Sequence, residues 1–149
     1  FQRGIQCKLI TENQQIRIYT WPGYLRNLIT LQGKEPAVLE SMFLEFCSQL
    51  NTAFPSDDEP MMNILACYRE SHYVIHFIPR KLHRPDRYFA AGDSQLLLSP
   101  ASIDLGGVLI MPREEDYLKV THADIWDVFQ QVCVGDDIIQ YLLQKLTRI

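Results

Sequence analysis

No apolar run in this chain approaches the ~18 residues needed to cross a bilayer, so no membrane-spanning segment and no membrane partner are expected. Basic residues are also in short supply. Lys and Arg number 14 against 18 Asp and Glu, giving a formal charge of -4 and a pI of about 5.5. A general nucleic-acid binder needs a basic excess to neutralise phosphates, so no nucleic-acid partner is expected and a cytoplasmic protein is the default. Cysteine pairs are missing: Cys7, Cys47, Cys67 and Cys133 are scattered, with no C-x-x-C among them. That excludes a zinc ribbon or a disulfide framework and leaves four buried free thiols as the expectation.

Several reaction signatures are absent too. There is no H-E-x-x-H for a zinc protease, no G-x-x-x-x-G-K-[ST] phosphate loop and no G-x-G-x-x-G dinucleotide turn. Gly106 and Gly107 precede a strand-like run rather than a helix, which suits close backbone packing. Ser99 and Ser102 lie near Asp104, but no histidine adjoins them and no G-x-S-x-G elbow is present, so a serine hydrolase is not expected. No metal site and no cofactor are expected.

What the chain does have is apolar mass: 47% of its 149 residues are hydrophobic and 11% aromatic, enough for one continuous core. Residues 1–149 are therefore expected to form a single domain. Ile5, Cys7 and Leu9, then Ile16 and Ile18, alternate with polar residues on either side of ENQ and predict a hairpin. WPGY makes a turn before a third strand, NLITLQ, ending at Gly33. Leu39, Met42, Phe43, Phe46, Cys47 and Leu50 then repeat at helical spacing. After the loop NTAFPSDDEP, MMNILACY and YVIHFIP read as a second hairpin whose apolar density suits central strands. LLLSP reads as a short strand or a buried turn, and GGVLIMP as a further strand.

In REED, acidic residues suit the first turn of a short helix. Thr121 and Asp124 have capping-box spacing ahead of Ile125, Val128, Phe129 and Val132. Gly135 stops that helix, and Asp136 is expected to cap a last one striped by Ile139, Leu142, Leu143 and Leu146. The class implied is α+β: a mostly antiparallel sheet flanked by helices, with helices at the C-terminus.

Of the four histidines, His72 falls in a hairpin turn and His122 at a helix start. His76 lies on a strand face with Val74 and Ile78, where a hydrogen-bonded core or rim histidine is expected. His83 is the histidine best placed to meet a ligand, because it belongs to PRKLHRP. That segment gathers Arg80, Lys81, His83, Arg84 and Arg87 at a strand end, stiffened by Pro79 and Pro85. Guanidinium and ammonium donors so grouped can hold a phosphate; a solvated loop is the plainer alternative.

NILACY at Asn63–Tyr68, FIPR at Phe77–Arg80 and SPASIDLGGVLIMPREED at Ser99–Asp116 occur here in an order that resembles the C-terminal part of histidine-triad-like nucleotidyltransferases. The likeness is to a bacterial group common in gut Bacteroidetes and related to the GDP-hexose and diadenosine tetraphosphate phosphorylases. It implies an α+β sheet flanked by helices and a nucleotide or nucleotide-sugar ligand. In that superfamily the nucleophile lies on a His-x-His-x-His or His-x-His-x-Gln strand. This sequence lacks that motif, and His72 and His76 are its nearest approximation. The resemblance therefore implies that the motif precedes Phe1, that the chain is the C-terminal half of a longer protein whose upstream half is its partner, and that no residue here is catalytic. Asn63 and Arg80 match the family outline, which implies a supporting role in the pocket. A non-enzymatic interaction or dimerisation module, with a homodimer as its simplest form, is the alternative expectation.

Overall fold

A computed structural model describes residues 6–24, 26–55, 59–101, 104 and 107–148. Five antiparallel strands form one sheet: β1 (Lys8–Glu12), β2 (Ile16–Thr20), β3 (Ile29–Gly33), β4 (Met62–Arg69) and β5 (His72–Pro79), in the order β1-β2-β3-β5-β4. Among the described residues the α-helices whose two ends are defined are α1 (Pro36–Ala53), α2 (Glu114–Lys119), α3 (His122–Val132) and α4 (Asp136–Leu146). The α+β class is as expected.

The first hairpin forms because the Asn13 side chain accepts from the Gln15 and Ile16 amides, both at 2.9 Å, and closes the turn locally. Its first strand starts at Lys8, so Cys7 precedes it, and Ile5 lies outside the described residues. Register then fixes the faces: Ile18 pairs with Leu31, Leu31 with Ile75, and Ile29 with Phe77. These side chains point one way and meet Leu39, Met42, Phe46 and Leu50 of α1 and the Ile139, Leu142, Leu143 and Leu146 stripe of α4. That is the main core. Gly33 sits where α1 begins, and a Cβ there would stand 2.9 Å from the Gln15 carbonyl oxygen.

The opposite face is covered only near the end of β5. Ile78 and Leu28 pack there with Phe129, Val132 and Cys133. Leu96 and Leu98 join Val128 on the far side of α3. LLLSP is thus a buried turn, with the Leu98 amide bonded to the Leu96 carbonyl at 2.8 Å.

Four expectations need correction. Strand β4 is at the sheet edge, not central, and Ile64, Leu65 and Tyr68 remain exposed, because no strand pairs with its outer side among the described residues. No strand forms in the described part of GGVLIMP, residues 107–112; Leu109 and Met111 turn inward without a neighbour to ladder with, and Gly106 lies outside the described residues. Asp136 does not cap α4: Gly135 holds that position, and Asp136 and Asp137 sit in the first turn, where their charge favours the free amides. Of the cysteines only Cys133 is buried; Cys47 is half-buried, and Cys7 and Cys67 are exposed. The capping box is present in full: Thr121 accepts from the Asp124 amide, and the Asp124 carboxylate accepts from the Thr121 amide.

Candidate functional site

Beyond Pro79 the chain leaves the sheet without becoming loose. The Arg80 amide donates to Met61 O at 2.9 Å, Arg80 bridges to Cys133, and the Lys81 amide donates to Val132 O at 2.9 Å. PRKLHRP is therefore pinned between the edge hairpin and the end of α3. By alternation Arg80 follows His76 and Ile78 on the sheet face opposite the main core, and only 8% of it is exposed. Its Nη1 donates to Asn63 Oδ1 at 3.2 Å and its Nη2 to the His83 carbonyl at 2.7 Å. Its Nε is buried and has no partner.

Burial pushes the Arg80 pKa down, opposed by the fields of Cys133 and Asp104. Arginine nevertheless stays protonated, so a charge lies below the surface. Among the described residues no carboxylate pairs with it. The buried Asp104 accepts from the Ala101 and Ile110 amides, each at 3.0 Å, and holds that loop instead. A buried cation without a counter-ion is costly, and an incoming anion would relieve it.

Arg80 opens onto a cleft of ≈ 630 Å³. His83, Arg84 and Ser99 add polar groups to its walls, and Leu82, Phe89 and Pro100 add apolar ones. Ser99 Oγ reaches the His83 carbonyl at 3.5 Å, tying the two loops. The Arg84 guanidinium carbon lies 4.2 Å from the centre of the Tyr88 ring, a cation–π contact that holds the charge at the rim.

The structure brings Arg80, His83 and Arg84 to this cleft, with Asn63 behind Arg80. It sets the other two basic residues apart. Arg87 forms an ion pair with Asp124 and donates Nε to Ser94 O at 3.2 Å, bracing the short turn Asp86–Tyr88 against α3. The Lys81 side chain is exposed and does not line the cleft. In the sequence Ser99 reads only as a candidate nucleophile, and Phe89 carries no signal there, because the turn that delivers it depends on contacts distant in sequence.

Elsewhere the groups are engaged. His76 Nδ1 lies 2.7 Å from Thr30 Oγ1, which accepts from Trp21 Nε1 at 2.8 Å, and burial lowers the His76 pKa. This is the hydrogen-bonded rim histidine expected. His72 Nδ1 is 2.7 Å from the Glu70 carbonyl, and His122 is exposed in the first turn of α3. Burial pushes the Cys133 thiol up to about 11 against the pull of Arg80, Arg26 and Lys81, so it is a neutral thiol rather than a nucleophile. Among the described residues no group of three or more His, Cys, Asp or Glu could hold a metal ion, and no helix is long and apolar enough to cross a membrane.

An antiparallel sheet backed by two helices, with a second helical layer locking a basic loop to its end, defines an α+β domain built around a cationic cleft. Residues 2–148 match the family model described as GDPGP1-like, C-terminal domain, and the chain belongs to that family. It is a C-terminal domain related to the GDP-hexose phosphorylases, a domain of a phosphorylase-like protein. No curated protein and no solved structure matches the chain.

Proposed function

We propose that this domain is the C-terminal half of a histidine-triad-like nucleotidyltransferase or nucleotide-sugar phosphorylase of the cytoplasm, contributing anion contacts to a nucleotide-bearing ligand while the upstream half of the same protein supplies the nucleophile. The observation that carries the reading is Arg80, a buried guanidinium with an unpartnered Nε at a cleft that also holds His83 and Arg84. Asn63 orients it. Lys81 adds positive field at longer range, whereas the charge of Arg87 is balanced by Asp124.

Catalytic silence of the chain alone has its own support. The sequence holds no His-x-His-x-His or His-x-His-x-Gln run. Covalent catalysis requires an activated nucleophile, and the reading leaves that group to the upstream half.

The test is to incubate the chain with a GDP-hexose and phosphate, and separately to titrate it with phosphate and pyrophosphate by calorimetry. The expected result is anion binding without phosphorolysis, weakened by Arg84→Ala. Turnover by the chain alone would overturn the silence, and an affinity unchanged in Arg84→Ala would return the basic segment to plain solvated surface.

A second reading, an interaction or dimerisation module, is favoured by β4. This eight-residue edge strand leaves Ile64 45% and Tyr68 65% exposed, and free edges of this kind pair with other chains. Sedimentation equilibrium tests it. A monomer at high concentration, unaffected by Leu65→Lys, would remove this reading.

A further inference from the structure

We infer that Asp124 is a positioning residue for the anion cleft, setting through Arg87 and Tyr88 where Arg84 holds its charge. This rests on the anion-binding reading of the cleft and concerns how its rim is built rather than what it binds. Arg80 needs no such help, because it is buried and held by Asn63 and the His83 carbonyl. Arg84 is exposed, and among the described residues neither a hydrogen bond nor an ion pair holds its guanidinium. What holds it is the Tyr88 ring, whose centre lies 4.2 Å from the guanidinium carbon. A long exposed side chain loses rotamer freedom when it meets an anion, and a ring that already holds it lowers that cost.

The ring in turn depends on α3. Tyr88 ends the three-residue turn Asp86–Tyr88, whose middle residue, Arg87, pairs with Asp124 Oδ1 in the first turn of α3. The two side chains are only 30% and 25% exposed, so water screens the pair less than it would a surface one. Asp124 divides its oxygens: Oδ2 accepts from the Thr121 amide at 2.9 Å and from the Thr121 hydroxyl at 2.7 Å, and Oδ1 takes Arg87. The helix cap therefore aims the carboxylate that braces the turn. The bonds from Thr121, helped by Arg87, hold the Asp124 carboxyl below its ordinary value, so it is ionised at neutral pH. The turn has further ties, from the Asp86 amide to Gln131 Oε1 at 2.8 Å and from the Leu96 amide to the Arg87 carbonyl at 3.0 Å. Loss of the ion pair should thus shift the turn rather than unfold it.

Charge alone argues the other way. Asp124 is an anion near an anion site, so by field alone its removal should tighten phosphate binding. Removal of a support for Arg84 should weaken it, and the sign separates the two.

The experiment is calorimetric titration of the full chain with inorganic phosphate, as the native protein and as Asp124→Asn, Arg84→Ala and the double variant. Asparagine keeps an oxygen for the Thr121 amide, and circular dichroism checks the fold. Asp124→Asn should weaken phosphate binding about threefold, the scale of one exposed cation–π contact, and should change nothing further in the Arg84→Ala background. Arg87→Gln breaks the same ion pair without touching the cap. Its effect should likewise vanish in Arg84→Ala, and it decides the matter should Asp124→Asn fail to fold. Tyr88→Leu should weaken binding to the same extent, and Tyr88→Phe, which keeps the ring, should restore it. The Arg84 Nε–H resonance, shifted by the Tyr88 ring in the native protein, should move towards that of a free arginine in both Asp124→Asn and Tyr88→Leu. Unchanged or tighter binding in Asp124→Asn, or an equal loss with and without Arg84, would overturn the inference while leaving the anion site standing. Absence of phosphate binding by the native chain would overturn both.

Discussion

Asp116 has no exposed surface, and its environment explains why it stays ionised. Arg113 donates Nε and Nη2 to it at 2.8 and 2.9 Å, Lys119 Nζ lies 3.1 Å away, and the Leu97 amide donates at 3.0 Å. The sequence suggested only a first-turn acid complementing a short helix, because nothing local signals the Leu97 amide. The hydrogen bond from Arg113, helped by Leu97 and Lys119, holds the Asp116 carboxyl below its ordinary value of 3.8. A depressed carboxyl stabilises the fold fully above that ordinary value, and the contribution is lost as pH falls through the folded pKa. Asp116→Asn should therefore lower unfolding free energy by about 2 kcal/mol at neutral pH, with the deficit shrinking below pH ~4; urea melts across pH check both. His76 acts in the same direction in a higher window. Burial holds its pKa below 6.5, so the unfolded chain takes up the proton first and stability declines as pH drops from 6.5 towards the folded pKa. An NMR titration should place the His76 midpoint below 6.5, and a midpoint at or above that value would contradict the burial argument.

Strand position matters more than strand composition for what a residue contributes. Leu31 in β3 is fully buried between two strands and beneath α1, whereas Leu65 in β4 is 38% exposed at the edge. Leu31→Ala should cost about 3 kcal/mol and Leu65→Ala less than about 1 kcal/mol, as read by chemical denaturation. The helical stripes of α1, α3 and α4 were legible in the sequence because a period of 3.6 residues writes burial directly into the pattern. Strand order was not, because β4 and β5 carry similar apolar runs and only long-range pairing decides which one β3 receives. The run around Val108–Met111 shows the same limit: its alternation matches inward and outward side chains, but a strand also needs a neighbour. At the site, the cations of PRKLHRP could be read as a cluster, and Arg80, His83 and Arg84 do converge. That Arg87 is diverted to Asp124, 37 residues away, and that Ser99 and Phe89 complete the cleft follow from how the loops fold onto α3.

Across the whole molecule, the three apolar clusters are joined through one short segment. Val132 and Cys133 pack in the second cluster and Val134 in the first, while Val128, one turn earlier in α3, belongs to the third. The same segment is bonded to its surroundings: Lys81 donates to Val132 O, the Val134 amide donates to Pro79 O, and Asn27 Nδ2 donates to Val134 O at 3.0 Å. Sheet, cleft loop and C-terminal helices should thus unfold together. The two tryptophans report on separate parts, since Trp21 is bonded to Thr30 of the sheet and Trp126 lies half-exposed on α3. Single-tryptophan variants, Trp126→Phe and Trp21→Phe, should give coincident urea transitions that also match far-UV circular dichroism, the signature of one cooperative unit. Phe129→Ala, which empties the centre of the second cluster, should destabilise by about 3 kcal/mol and lower both transitions equally. If the α3 probe instead melted first, with the Trp21 transition unmoved, the cleft loop and its helix would form a separately unfolding unit docked on the sheet. Anion affinity would then follow the stability of that unit rather than that of the whole domain.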